Sequence, residues 1–570
     1  MKKIFILRKI LSKKEMLNLY FIFFLMIINS FLEAFSIGAL IPLMSIVFGI
    51  DKANFFGKEN YGFFENLNLD ISAGILIFSI ICLYILKYLF FIIYTKFQSE
   101  FILNFTVSLR KRLFEDYLEK PITFHNKTLS AEIVRNINNE VNVFVKNFLQ
   151  AILIFSLSSF TIVLILVLLL LVNIKSTFII ILLFGFIYVI INRLFSSWLK
   201  KTGKDRQFHS KFGIKYIYRS LRSIIEIKLF ELEKFYVDRY VYHVNKIAKQ
   251  SILRSVVGIM PKILFEGSLI IFILLVIYYY TINNLPIESL FAQLILFATA
   301  AFRIMPALNL ISQSRQQIQF GQPAADLLLE IINNFETKKK IDYKNLNKNL
   351  NFQNNISIKN LFFSYEKEKH VLENVSLDIK KFETIGIVGS NGSGKSTFVK
   401  LICGLLEPTS GSIKIDDTNI DDKIYQWRKL IGFIPQEINL IDGSIKENIC
   451  IGISDDNIDE KRLLDVLNEA QLKEFLDKLP DGINSYIGES GVNISGGEMQ
   501  KIGIARTLYR NFEILILDEA TSNLDSESEK KFIELLSSRY KDKTKIIISH
   551  RIKALKFCNK IYDLNQKKLI

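Results

Sequence analysis

The chain has 570 residues, half of them hydrophobic and 48 of them Phe, with a formal net charge of +16. That length exceeds what one core fills, and the composition is too apolar for a soluble enzyme, so a membrane part is joined to a soluble part. The positive balance does not mark a nucleic-acid binder, because Lys and Arg flank apolar segments instead of gathering with aromatics on soluble elements; anionic inner-leaflet lipids and the positive-inside rule produce that distribution. The cysteines, Cys82, Cys403, Cys450 and Cys558, are scattered, with neither metal spacing nor a disulfide framework. They imply a reducing cytosolic face.

The first apolar run lacks a small-residue cleavage site and is predicted to stay as an anchor. A helix needs about 20 apolar residues to cross a bilayer. Six segments meet that length, near residues 17–50, 71–94, 147–172, 176–199, 263–280 and 287–312. Lys2, Lys3, Arg8, Lys9, Lys13 and Lys14 crowd the N-terminal tail, and the connections after the second and fourth spans are strongly basic. The other connections are poor in Lys and Arg, which places both termini in the cytoplasm. The two long basic connections keep helical periodicity, so the spans should continue as helices into the cytosol. Residues 129–135 and 221–231 lie in these extensions as candidate turns facing the soluble domain; plain amphipathic helix faces are the alternative.

Charges inside membrane segments are costly and mark cavities or function. Glu33, Lys87, Lys262, Glu266 and Arg303 fall there, and Glu33, Lys87, Lys262 and Arg303 are candidates for a substrate path. Structural pairing of the acids, or snorkelling of Lys262, is the alternative. Residues 331–355 turn polar and Asn-rich and read as a solvated linker between a domain at 1–330 and another at 356–570.

In the soluble part, residues 358–364 and 371–379 read as strands, and 384–388 as a short buried parallel strand. After it stand Gly389, Ser390, Asn391, Gly392, Ser393, Gly394, Lys395, Ser396 and Thr397, which fit G-x-x-x-x-G-K-[ST] between a strand and a helical run at 398–405. Glycines let successive N–H groups turn toward phosphate oxygens, and the helix N-terminus adds positive potential. Lys395 can reach the β and γ phosphates of ATP, and the Ser396 hydroxyl suits Mg²⁺. Residues 514–517 form a second buried strand leading to Asp518 and Glu519. Asp518 can hold Mg²⁺ through water, and Glu519 can orient or deprotonate an attacking water. A helix cap is the plainer use of paired acids.

Ile494, Ser495, Gly496, Gly497 and Glu498, just upstream of that strand, resemble the Leu-Ser-Gly-Gly-Gln signature of the ATP-binding-cassette transporters. The likeness covers the whole chain. Gln436 is similar to the Q-loop glutamine, residues 522–525 to the D-loop ending in Asp525, His550 to the switch histidine, and Tyr365 to the aromatic residue that stacks on adenine. The resemblance implies an all-α six-helix transmembrane domain of the type IV exporter kind followed by an α/β phosphate-loop nucleotide-binding domain. It also implies a homodimer in which ATP lies between the phosphate loop of one cassette and Ser495, Gly496 and Gly497 of the other. Glu519, His550, Lys395 and Gln436 would then serve hydrolysis; Ser396, Gln436 and Asp518 would hold the metal; Tyr365, Glu498 and Asp525 would complete the ATP site. Ile494 and Glu498 depart from the signature, the latter by adding a negative charge.

Six spans before one cassette look like an exporter half-transporter, with the stretch from Ser130 similar to a first intracellular coupling region. A narrower likeness, carried by residues 31–43 and 302–309, is to bacterial flippases of lipid-linked oligosaccharides used in protein N-glycosylation. It implies a bacterial inner-membrane protein that flips a polyprenyl-pyrophosphate-linked glycan outward, its dianionic head meeting Lys87, Lys262 and Arg303. The aromatic-rich segment 51–70 would lie along the outer interface to receive the tail, or form an ordinary loop. A multidrug or lipid exporter is the alternative.

Overall fold

The computed structural model describes residues 2–39, 73–172, 174–282, 287–334, 350–366, 369–488, 494–549 and 555–569. The chain divides into two compact units, Met1–Lys120 with Phe124–Lys339, and Pro121–Thr123 with Lys340–Ile570.

The first unit is all helix. It begins with α1 (Lys2–Ile10) and α2 (Lys13–Gly38). Ser12 caps α2 in a reciprocal box: the Glu15 N–H donates to Ser12 Oγ at 3.3 Å and the Ser12 N–H to Glu15 Oε2 at 2.7 Å. Arg112 then ties this turn to the next long helix, donating to Ile10 O at 3.0 Å and standing 3.6 Å from Glu15. The first expected span was to reach residue 50; α2 is described to Gly38, and 40–72, including the aromatic segment 51–70, lie outside the described residues.

The helices are longer than a bilayer crossing needs. Helix α3 runs from Ala73 to Glu119, α5 from Ile174 to Arg222, α6 from Glu233 to Ile282 and α7 from Ile287 to Asn333. Among the described residues five helices are long and apolar enough to cross a membrane. Helix α4 (Gln150–Val172) differs from expectation at its start, because helical structure begins at Ser130 and passes through two π-helical turns, Asn136–Glu140 and Val145–Leu149. Such turns insert a residue into the i→i+4 ladder and leave no trace in hydrophobic periodicity. Ser130 is the first residue of its helix, and Leu129 occupies the cap without a side-chain bond.

These π turns aim polar groups at neighbouring helices. Glu140, whose side chain is fully buried, accepts from Arg206 at 2.8 Å and from Gln207 at 3.2 Å. Asn147 accepts from Arg254 at 2.8 Å, and the Arg254 guanidinium lies 3.9 Å from the centre of the Phe320 ring. A Cβ on Gly203 would strike the Phe320 carbonyl, and one on Gly321 would come within 2.9 Å of the Asn147 backbone. Helices α4, α5, α6 and α7 therefore meet at a node where two backbones touch and a carboxylate is buried. Removing one partner of a buried pair strands the other. Arg206→Ala should lower stability by about 3–5 kcal/mol, read as an earlier thermal unfolding transition in nanodiscs; an unshifted transition would contradict the pairing.

The second unit is α/β. Strands β1 (Asn355–Glu366), β2 (Lys369–Lys380), β4 (Ser410–Ile415) and β5 (Thr418–Asn419) form an antiparallel sheet in the order β2-β1-β4-β5. A six-stranded sheet holds β3 (Thr384–Val388), β6 (Ile431–Ile434), β7 (Ile514–Asp518), β8 (Thr544–Ile548), β9 (Lys560–Asp563) and β10 (Lys568–Leu569), ordered β10-β9-β3-β8-β7-β6. Its pairs are parallel except β9 with β10. Strands β7 and β8 are buried at every position, which explains the apolar runs at 514–517 and 546–548. Ile356, Ile385, Ile387, Phe398 and Trp427 join the two sheets and helices α8 (Lys395–Ile402) and α9 (Ile424–Lys429) in one core, against which Ile122 of the Pro121–Thr123 segment packs.

Candidate nucleotide site

The site grows from the turn between β3 and α8. Gly392 and Gly394 have φ of +86° and +92°, a region closed to most side chains. A Cβ on Gly394 would also lie 2.7 Å from Leu372 and 3.0 Å from the Val371 carbonyl. Only glycine fits this turn, and helix α8 starts at Lys395, earlier than the helical run at 398–405 suggested, because Gly394 in its left-handed conformation is its N-cap. Lys395 Nζ folds back onto the carbonyls of Gly389 and Ser390 at 2.8 and 3.0 Å. Ser390 Oγ donates to Asn565 at 3.1 Å, anchoring the loop to the β9–β10 turn. Ser393 Oγ is buried without a hydrogen-bond partner among the described residues. Asn391 and Ser396 face solvent, while Thr397 is buried and its hydroxyl meets that of Tyr365 at 3.3 Å. Tyr365 leans edge-on against Phe363, with ring centres 4.8 Å apart.

The carboxylates close the other side. Asp518 ends β7 opposite Ile548 of β8 and is 8% exposed. Burial, then the adjacent Glu519 charge, pushes its carboxyl above the ordinary range, against the pull of Lys400 and Lys395. Glu519 itself has φ +50°, a left-handed conformation costly for a non-glycine residue. Its N–H donates to Ile548 O at 3.0 Å, and Ser522 N–H donates to its carbonyl at 3.0 Å, so neighbours hold the kink. Gln436, in the loop after β6, donates from Nε2 to Glu519 Oε2 at 2.9 Å. The loop, the carboxylate pair and the amide thus converge at the carboxyl ends of parallel strands, where open α/β sheets bind ligands.

Ser495 caps helix α10 (Gly496–Tyr509). The Glu498 carboxylate reaches back to the Ser495 N–H at 2.8 Å and accepts from its hydroxyl at 2.7 Å. The departure noted at this position is therefore one half of a capping box, and the added charge lies in the first turn, where it suits the helix dipole. A Cβ on Gly497 would lie 3.2 Å from the Asn523 carbonyl, so the signature abuts the 522–525 turn. Among the described residues, no hydrogen bond joins Ser495, Gly496 or Gly497 to the phosphate loop of the same chain. Asp525 caps helix α11 (Ser526–Ser538), accepting from the N–H groups of Glu527 and Ser528, and hydrogen bonding with Ser528 brings its carboxyl down to about 2. His550 lies outside the described residues, immediately after buried Ser549.

In the membrane unit, Lys87 is buried, 3.6 Å from Glu33 Oε1, and donates to Ser36 Oγ at 3.3 Å. The rings of Tyr84 and Tyr88 flank its ammonium at 5.4 and 5.7 Å. Glu33 and Lys87 are thus brought together, whereas Lys262, more than half exposed, faces Glu266 of its own helix at 3.8 Å. Arg303 lies on α7, and its side chain is outside what is described. Sequence reasoning missed Ser36, Tyr84, Tyr88 and Asn565; a serine and two tyrosines within a helical turn of an intramembrane charge were the available signal.

Apolar helices long enough to cross a bilayer, followed by a phosphate-loop α/β unit, define an ATP-driven membrane transporter. The model of the ABC transporter transmembrane region matches residues 19–305, and that of the ABC transporter itself matches residues 372–522. The chain belongs to the ABC transporter family, as an exporter half-transporter whose ATPase is coupled to transport. Over 478 residues it is 27% identical to a putative multidrug export ATP-binding/permease protein of Bacillus subtilis, covering 81% of this chain and 79% of that one. It is 35% identical over 260 residues to the ATP-dependent lipid A-core flippase of Pasteurella multocida, covering 45% and 44% of the two chains. The structure of a bacterial Atm1-family ABC exporter with ATP bound superimposes with a TM-score of 0.76 at 19% identity, covering 98% of this chain and 94% of that chain. The fold is that of an ABC exporter, with helical transmembrane domain and α/β nucleotide-binding domain.

The Asp518 environment has a measurable sign. A carboxyl whose folded pKa is raised contributes stability at low pH that is lost as pH climbs from the unfolded value through the folded one. Asp518→Asn removes that loss. Without nucleotide, the variant should melt higher than wild type at neutral pH, with the difference shrinking toward acid; a variant that melts lower at neutral pH would contradict the assignment.

Proposed function

We propose that two copies of this chain form a homodimeric pump in the bacterial inner membrane that flips an anionic, lipid-anchored substrate outward, with a polyprenyl-pyrophosphate-linked oligosaccharide as the substrate that fits best. The observation that carries the reading is Lys87, an ammonium kept among apolar helices at the cost of desolvation and held by Glu33 and Ser36. A multidrug substrate has no need of a fixed buried cation. The curated relatives support an exported amphiphile, since several are named lipid A-core flippases and others multidrug exporters. Lys262 and Arg303 would extend the positive path, Arg303 by a bidentate fork to phosphate.

In the ATPase, Gly389 to Thr397 would wrap the phosphates, with Lys395 swinging from its loop carbonyls to the β and γ oxygens and Ser393 Oγ gaining a phosphate partner. Tyr365 would meet the adenine. Ser495, Gly496 and Gly497 of the opposite copy would face the γ-phosphate, and Glu498 and Asp525 would hold their helices in place. The oxygens of Ser396, Asp518 and Gln436 form a hard donor set that suits Mg²⁺, and a cation there would relieve the buried charge on Asp518. Bound, that ion would supply neutralisation of phosphate charge. Gln436 holds Glu519 by one hydrogen bond, and Glu519 would take the proton of the attacking water while His550 steadies the γ-phosphate. ATP bound between closed cassettes favours one state of the membrane helices, and hydrolysis releases it.

Two variants test this in proteoliposomes holding a defined fluorescent lipid-linked sugar. Glu519→Gln should bind ATP and neither hydrolyse nor flip. Lys87→Ala with Arg303→Ala should lose flipping while ATP hydrolysis persists. Undiminished flipping by the double variant would overturn the anionic-head reading.

A further inference from the structure

Asn448 has no exposed surface, yet it lies outside the phosphate-binding elements, and its amide is fully engaged. Its Oδ1 accepts from the Ile441 N–H at 2.8 Å, and its Nδ2 donates to the carbonyls of Ile441 and Ser444 at 2.9 and 3.0 Å. Arg506 on the signature helix α10 completes the arrangement. Its Nε donates to Asn448 O at 2.8 Å, one terminal nitrogen to Asn448 Oδ1 at 3.0 Å, and the other to Asn439 O at 2.9 Å. One guanidinium therefore fastens both ends of the segment that leaves Gln436.

The same helix face makes two more contacts, one before Gln436 and one after it. Thr507 Oγ1 donates to Phe433 O at 3.0 Å, on the strand that leads into Gln436. Gly503 stands mid-helix, where glycine costs roughly 0.5–1 kcal/mol relative to alanine. The cost is explained by Ile438, two residues past Gln436, whose side chain would collide with any Cβ at Gly503. Contacts from one helix thus bracket Gln436 on both sides, and the first turn of that helix is Ser495, Gly496 and Gly497.

We infer that Arg506, Asn448 and Gly503 are positioning residues that lock the Gln436 loop to the signature helix, so that the glutamine beside Glu519 at one ATP site and the signature serving the other site move as one body. The inference rests on the paired-cassette reading above, and it adds that the two hydrolytic sites act cooperatively through this clamp. A helix of 14 residues is a stiff rod, and a guanidinium fork holding three acceptors cannot be reproduced by an ammonium.

The test uses full-length protein in liposomes. Asn448→Ala and Arg506→Lys should lower kcat for ATP roughly tenfold to a hundredfold, as small misplacements of catalytic groups do, while KM changes by less than about threefold. The Hill coefficient for ATP should fall from above one to about one. Gly503→Ala, checked to keep the wild-type thermal transition, should lower kcat likewise, and adding Ile438→Ala, which removes the colliding side chain, should restore most of the rate. Wild-type kcat and cooperativity in the folded Asn448 and Arg506 variants, a non-cooperative wild type, or a Gly503→Ala defect that Ile438→Ala leaves in place would each overturn the clamp. Pairing of cassettes is scored separately, as ATP-driven association of Glu519→Gln protein, so its failure is distinguishable from failure of the clamp.

Discussion

Everything chemical in this protein hangs on a buried parallel sheet that ends in charge. Strands β7 and β8 have no exposed residue, and β7 ends in the buried carboxylate of Asp518, followed at once by the half-buried carboxylate of Glu519. Asp518 is held protonated to higher pH by its surroundings, and Glu519 is bent into a left-handed conformation by bonds to Ile548 and Ser522. Neither arrangement favours the resting fold, and the buried charge of Asp518 is one that a cation would relieve. The energetic logic of the cassette is therefore that of a site built for its ligand at some expense to the empty state.

The membrane unit follows a comparable rule with different materials. One part of it packs α1, α2, α3, α4 and α7 around one apolar cluster, and α5 and α6 join through the polar node of Glu140, Arg206, Asn147 and Arg254. Hydrogen bonds to charged groups such as these contribute about 1.5–3 kcal/mol each. On the side of the unit that carries Phe184 and Phe265, α5 and α6 do enter an apolar cluster with Ile37, Ile165 and Ile304. The attachment of these two helices is apolar at one level and polar at another.

Much of this was legible in the sequence, for reasons that differ by element. The phosphate loop was readable because its glycines answer a backbone requirement, met at Gly392 and Gly394, that no other residue satisfies. The buried strands were readable because parallel strands covered on both faces must be continuous apolar runs. Long helices were readable from apolar length and basic flanks. The π turns before α4 were not, since an inserted residue changes hydrogen bonding without changing composition. The partner of Lys87 was open between pairing and a free path, because sequence separation conceals that Glu33 lies on the neighbouring helix. Glu498 read as an intrusive charge, and only its bonds to Ser495 show it as a cap. Asn448 and Arg506 gave no signal at all, being a polar pair whose meaning lies entirely in what they join.

The central claim is that ATP is enclosed between two copies of the cassette, and an inter-protomer distance reports on it directly. With a spin label at exposed Lys473 of each copy in the Glu519→Gln background, pulsed resonance in liposomes should show a broad, long separation without nucleotide. Addition of Mg-ATP should replace it with a shorter and narrower one that persists until ATP is removed. A separation that ignores ATP would contradict enclosure and, with it, the transmission of nucleotide binding to the membrane helices.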